Sequence, residues 1–201
     1  MTTSPISKVR EFYESSVDWY SNMMDTEIDL PVYSDTLGRL AERIADIPGP
    51  VIDTSCGSGH MLSRYHERYD PKRLLVGTDL SPRMVAIASA KLGSNAQILT
   101  GDMRVLESIQ SSSSAAVLSF FGIHHIDPKK VLAALKEWHR VLRPGGQLVV
   151  AAWEGDGPID YGSVSDVVGH SDTPKRTSSR GRRRPGLSRT DASLNRWKIC
   201  R

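Results

Sequence analysis

Val51-Ile52-Asp53-Thr54-Ser55-Cys56-Gly57-Ser58-Gly59-His60 is the stretch whose reading decides the fold. A short apolar strand runs into a turn whose glycines let the backbone approach a ligand with no Cβ in the way. Any turn between a strand and a helix can use glycines, so this motif alone is a weak signal and its neighbours must decide. Downstream, Met61, Leu62 and Tyr65 mark one face of a helix, and Leu74 to Thr78 is a second strand. Ser81-Pro82 opens the next helix with a capping hydroxyl and a proline at its first position, and Met84, Val85, Ile87 and Ala88 form its apolar side.

Ala96 to Thr100, Ala115 to Phe121 and Gln147 to Trp153 are a third, fourth and fifth strand. Between the last two lies an amphipathic helix, with Val131, Leu132, Leu135, Trp138, Val141 and Leu142 on one side. Upstream, apolar residues at helical spacing fill Asp35 to Ile47, after a cap at Ser34 or Asp35, until Pro48-Gly49-Pro50 stops them. Continuous apolar strands alternating with helices are the mark of a sheet covered on both faces. The fold class is therefore α/β: a Rossmann-like, mostly parallel sheet with helices on both faces and five recognisable strands.

The chain has 201 residues, 39% hydrophobic and 24% charged, enough for one sizeable core. It contains no run of about 18 apolar residues, and its first residues lack the apolar core of a secretory signal, so no membrane partner and a cytoplasmic location are expected. Cys56 and Cys200 are too few for a disulfide framework or a cysteine zinc site. Residues 169–201 hold eight Arg and two Lys against two Asp, so with +3 overall the first 168 residues carry a net −5. An acidic core gives no support to nucleic-acid binding, which needs clustered positive charge; only the basic tail could make a weak contact of that kind.

In an open sheet of this class, ligands bind beyond the carboxyl ends of the strands. The second strand ends in Thr78-Asp79-Leu80-Ser81, with the acid about twenty residues past Gly59. A carboxylate there can accept two ribose hydroxyl protons; the plainer role, capping the next helix, is filled better by Ser81 with Pro82. The third strand ends in Gly101-Asp102-Met103, an acceptor for an exocyclic amine beside a flexible apolar side chain.

Val51 to Gly59, Gly77-Thr-Asp79-Leu-Ser-Pro-Arg-Met84, Gly101-Asp102-Met103, Ser119-Phe-Phe-Gly-Ile-His-His125 and Leu142-Arg-Pro-Gly-Gly146 resemble, in order and spacing, the successive motifs of class I S-adenosylmethionine-dependent methyltransferases of the small-molecule type. The resemblance covers about residues 35–153. It implies that Asp53, Ser55, Gly57 and Gly59 surround the methionine part of S-adenosyl-L-methionine, that Asp79, with Leu80 beside it, holds the ribose, and that Asp102 and Met103 hold the adenine. Phe120, with Phe121, would face the sulfonium. Family members usually carry glycine where Ser55 stands, and its hydroxymethyl group could crowd the cofactor or add a hydrogen bond. Tyr13 and Tyr20, seven apart on an expected helix, resemble the amino-terminal segment that folds over the cofactor, which would bring Tyr20 to the methionine carboxylate; an ordinary amphipathic helix is the plainer alternative.

His124-His125 lacks a third ligand for a metal, so no metal is expected and a loop histidine pair is the better reading. No catalytic residue is assigned; His124 is the least implausible base. Methyl transfer from a sulfonium needs chiefly positioning, toward an acceptor expected to be a small molecule. An NAD-dependent dehydrogenase would require a glycine or alanine where Leu62 stands. A nucleic-acid methyltransferase would carry an Asn/Asp-Pro-Pro-aromatic turn where Ser119-Phe120-Phe121-Gly122 stands. The organisation expected is an N-terminal helical cap over 1–34, a cofactor domain over 35–168 and a basic, disordered tail over 169–201. The family's last two strands are not evident, which leaves a truncated, non-catalytic or unstable remnant as the alternative to an active enzyme.

Overall fold

The computed structural model describes residues 6–153 together with the short strands at 158–159, 169–170 and 197–200. Three helices come first: α1 (Ile6–Ser15), α2 (Val17–Glu27) and α3 (Pro31–Arg43). Then β1 (Val51–Asp53), α4 (His60–Arg68), β2 (Leu75–Asp79), α5 (Pro82–Leu92) and β3 (Ala96–Thr100) alternate, followed by β4 (Ser114–Phe120), α6 (Val131–Val141) and β5 (Leu142–Trp153). α3 begins at Pro31, a turn ahead of the expected cap at Ser34 or Asp35, because a proline at the first helical position forgoes an N–H that had no partner anyway. α5 starts as its sequence indicates, with the Met84 amide donating to Ser81 Oγ at 3.1 Å.

The main sheet runs β3-β2-β1-β4-β5 and ends in the strand β8 (Trp197–Cys200), parallel from β3 to β5. Successive strand residues point to opposite faces, and the core divides accordingly. Val51, Ala116 and Leu118 pack with Leu37 and Leu40 of α3 and Leu62 and Tyr65 of α4, whereas Ile52 and Val117 pack with Ala134, Trp138 and Val141 of α6. All seven residues of β4 are buried, as befits a strand with neighbours on both edges and helices on both faces.

α6 also fixes the segment after β3. The buried Trp138 indole donates to the Met103 carbonyl at 2.9 Å, Arg140 donates to the carbonyls of Leu106 and Ile109, and Glu137 accepts the Leu106 amide at 2.8 Å. A loop that would otherwise leave buried polar backbone unpaired is thereby held at the strand ends.

At the other edge the structure adds what the sequence reading lacks. β8 (Trp197–Cys200) pairs antiparallel with β5, Val150 opposite Cys200 and Trp153 opposite Trp197, while β6 (Pro158–Ile159) and β7 (Gly169–His170) form a separate two-stranded sheet. Most of the tail expected to be disordered lies outside the described residues, but these four residues are a strand of the sheet. The reason is local: β5 would otherwise present a row of unpaired N–H and C=O groups. No helix among the described residues is long and apolar enough to cross a membrane.

Candidate functional site

The chain leaves β1 toward β2 and β3, then returns to β4 on the far side of β1. The connections therefore diverge at the β1/β4 pair, and a crevice opens at the carboxyl ends of these strands. In this structure it is a cavity of about 210 Å³, floored by the ends of β1, β2 and β4 and covered by α1 and α2. It brings together Tyr20, Ser55, Gly57, Asp79, Leu80, Asp102, Met103 and Phe120 of the residues that sequence singles out. Asp53 borders a small recess beside it, sharing Tyr20, Ser55 and Phe120. Gly59 reaches neither. Its φ of +82° opens α4, and a Cβ there would stand 3.1 Å from Ala88, so this glycine serves the close packing of α4 on α5.

The turn after β1 is organised by carboxylates. Asp79 Oδ2 accepts the Gly57 amide at 2.8 Å and Oδ1 accepts the Ser81 amide at 2.9 Å; Asp53 Oδ1 accepts the Ser55 amide at 3.1 Å. Gly57 holds a φ of +50°, and a Cβ on it would meet the Tyr20 ring at 2.9 Å, so Tyr20 lies directly on the turn. Burial and the neighbouring Asp79 charge push the Asp53 carboxyl up to about 7, against the pull of the Ser55 amide. Burial also raises Asp79, with the Ser81, Gly57 and Leu80 amides opposing it, and burial with both carboxylates raises Tyr20, which stays a phenol.

Asp102 is placed at the cavity but is already engaged. Its oxygens accept the Arg104 amide and Nε at 2.9 Å and also pair with Arg104 Nη2. Burial alone would raise this carboxyl; the hydrogen bonds to Arg104 outweigh it and hold it below its ordinary range. Ser55 Oγ is buried with no hydrogen-bond partner among the described residues, and it lies where a Cβ on Gly122 would come within 2.5 Å. The side chain that departs from the family's glycine is therefore accommodated by a glycine across the cavity.

How His124, His125 and Tyr13 meet could not be read from sequence. His124 and His125, on a tight turn after β4, are 4% and 7% exposed and border the cavity. Tyr13 Oη and His125 Nε2 share a hydrogen bond of 2.8 Å, and the Tyr13 ring stands edge-on to Tyr20 with centroids 5.9 Å apart. A continuous aromatic contact thus runs from the Gly57 turn through Tyr20 and Tyr13 to the histidines. Burial pushes His125 down to about 4 and His124 well below its ordinary value, so both rings are neutral at pH 7. Phe121, between them and β4, has a φ of +55°, a strained backbone held by its amide donating to the Ala151 carbonyl at 2.8 Å.

Residues 51–146 match the methyltransferase domain family. The chain is 29% identical over 154 residues to the demethylmenaquinone methyltransferase of Lactococcus lactis subsp. lactis, covering 74% of this chain and 60% of that one. It is 26% identical over 172 residues to the malonyl-[acyl-carrier protein] O-methyltransferase of Dechloromonas aromatica, covering 85% and 59%. The chain thus spans about three fifths of the length of these curated relatives. A solved S-adenosyl-L-methionine-dependent methyltransferase fold from Methanococcus maripaludis superposes with a TM-score of 0.60 at 21% identity, over 71% of this chain and 64% of that one. CalS10, a SAM-bound amino pentose methyltransferase from Micromonospora echinaspora, superposes at 0.51 with 27% identity, over 60% and 51%. By these matches and its sheet topology, the chain is similar over residues 51–146 to S-adenosylmethionine-dependent methyltransferases and shares their Rossmann-like fold.

Proposed function

We propose that this chain binds S-adenosyl-L-methionine in the β1/β4 crevice and transfers its methyl group to a small organic acceptor. The observation that carries this reading is the Gly57–Asp79 pair: a carboxylate at the end of β2 braces the glycine turn while bordering the cavity. A carboxylate has about four acceptor sites, so beside the amides of Gly57, Ser81 and Leu80 Asp79 retains capacity for a ribose hydroxyl. Ser55 Oγ, buried without a partner among the described residues, is a second polar atom that a ligand there would satisfy.

The cofactor supplies an activated methyl group, so the protein's part is to bind, orient and exclude water. Asp53, Gly57 and Tyr20 would border the methionine part, Met103 would lie against the adenine, and Phe120 would flank the methyl. Asp102 could serve the adenine only by sharing oxygens with Arg104. The neutral His124 is the candidate proton acceptor should the acceptor lose a proton on methylation. Relatives named for demethylmenaquinone and for malonyl-[acyl-carrier protein] support an organic acceptor without naming this chain's own. Two cysteines and no disulfide framework fit a cytoplasmic enzyme.

Calorimetric titration tests the binding. S-adenosylhomocysteine should bind saturably, and Asp79→Ala should weaken it by about 1.5–3 kcal/mol, the range for hydrogen bonds to a charged acceptor. Unchanged affinity in that variant refutes the ribose assignment. NAD should not bind: Leu62, at the position where that fingerprint needs a small residue, is fully buried in the core.

A further inference from the structure

We propose that the part of the cavity enclosed by α1 and α2 is an acceptor subsite for an apolar, ring-bearing molecule that carries no negative charge. This inference rests on the reading of the strand ends as the cofactor site. The strand ends contribute the polar atoms described above, whereas the covering helices contribute Val9, Phe12, Trp19 and Met23, met from below by Phe121 and Ile126. Flat rings gain most from such a wall, through edge and face contacts with its aromatics.

The charges on the wall are of one sign. Glu27, Asp79 and Asp102 border the cavity, and no lysine or arginine is among the described residues lining it. Of the cations beside it, Arg104 pairs with Asp102 and Arg83 donates to the Glu14 carbonyl, while Lys130, whose charge is felt by Asp102, is solvent-exposed and outside the lining. The bordering imidazoles are neutral, because burial resists their protonation. A carboxylate entering this space would lose its water, meet like charges and gain no cation, whereas a neutral ring would lose little and bury apolar surface.

The test uses the full chain with 2-naphthol and 2-naphthoate, matched in ring and differing in charge at pH 7, by calorimetry with and without saturating S-adenosylhomocysteine. Naphthol should bind saturably and naphthoate at least tenfold more weakly. Met23→Lys should shrink or reverse that ratio while Met23→Leu preserves it; Trp19→Lys, at a position 45% exposed, is a second charge insertion that leaves the core intact. Equal or tighter binding of naphthoate overturns the proposal, as does a ratio unmoved by both lysine variants. So does a chain that binds S-adenosylhomocysteine and neither naphthyl probe. A chain that prefers naphthol, responds to the lysines and ignores S-adenosylhomocysteine would uphold the subsite and refute the cofactor reading.

Discussion

Asp53 is a carboxyl placed where folding alone would not choose to place a charge. Its pKa in the fold is about 7, against about 3.9 for an unperturbed aspartate. A carboxyl raised in this way leaves stability intact below about pH 4 and lowers it progressively as pH climbs through 7. Asp53→Asn should therefore make the ligand-free protein more stable at pH 8, by about 2–4 kcal/mol from a shift of about three units, with the gain vanishing near pH 4. Urea unfolding at the two pH values reads this directly; a gain of equal size at both would mean that the charge is not its source. Such a cost is understandable at a binding site, where a cationic ligand group would favour the ionised form. Gly122 offers a purely spatial counterpart. A Cβ there would stand 2.5 Å from Ser55 Oγ and 2.7 Å from Met103 Cε, so Gly122→Ala should cost about 1–3 kcal/mol by overpacking. Ser55→Gly should return a large part of that cost, giving a coupling energy above about 0.5 kcal/mol in a double-mutant cycle. Additive effects would show that the two residues do not share the space.

The elements differ in how firmly they are held, and the cover over the cavity is the loosest of the helical ones. α2 is anchored by Val17 and Met24, whereas α1 buries only Val9 and Phe12, in a small cluster apart from the main core. Its polar ties include Tyr13 to His125 and exposed hydrogen bonds between Arg83 and Glu14, from the guanidinium to the Glu14 carbonyl and from the Arg83 amide to its carboxylate, and water competes for bonds of the second kind. Amides of α1 should thus exchange with solvent well ahead of those of the fully buried β4. Tyr13→Phe, which removes a hydrogen bond worth about 0.5–1.5 kcal/mol, should speed α1 exchange further by about two- to tenfold and leave β4 unchanged. Hydrogen exchange resolved by peptide tests this, and α1 protection equal to that of β4 would contradict it. These same elements show how far sequence could be read. The five parallel strands stood out because buried strands are continuous apolar runs, and the α5 cap because Ser81-Pro82 is a local signal. Asp79, Gly57 and Tyr20 stood out as candidates because each belongs to a motif with fixed spacing. The Tyr13–His125 bond was not, since it joins residues 112 apart, and neither was the cross-cavity fit of Ser55 with Gly122. Contacts of that kind depend on tertiary placement, which no local pattern encodes. The packing of Gly59 on α5 was not legible for the same reason: a packing glycine and a ligand-facing glycine look alike until α5 is in place.

For the molecule as a whole, the decisive asymmetry is that cofactor geometry and sheet completion lie at different ends of the same sheet. Every residue of the candidate cofactor site lies on or after β1, β2, β3 and β4 or on the N-terminal cover, while β8 closes the far edge against β5. Trp197-Lys-Ile-Cys200 is too short for its alternation to stand out in sequence, yet its backbone partners Val150 to Trp153. Deleting residues 197–201 should leave that edge of β5 unpaired beside Leu148, already 36% exposed. Losing about two to three ladder hydrogen bonds at about 1 kcal/mol each should lower unfolding free energy by about 2–3 kcal/mol. The uncovered edge should also promote concentration-dependent association, since an apolar strand with free N–H and C=O groups is a template for another chain. S-adenosylhomocysteine affinity should remain within about twofold for the folded fraction, because β1 and β4 keep their partners on both sides. Denaturant melts, sedimentation at several concentrations and calorimetry on the shortened chain separate these three expectations. Full stability and an unchanged association state after the deletion would show that β8 does not protect β5. A loss of cofactor affinity as large as that of Asp79→Ala would show that the sheet's far edge and the strand ends are coupled, against the separation argued from the topology.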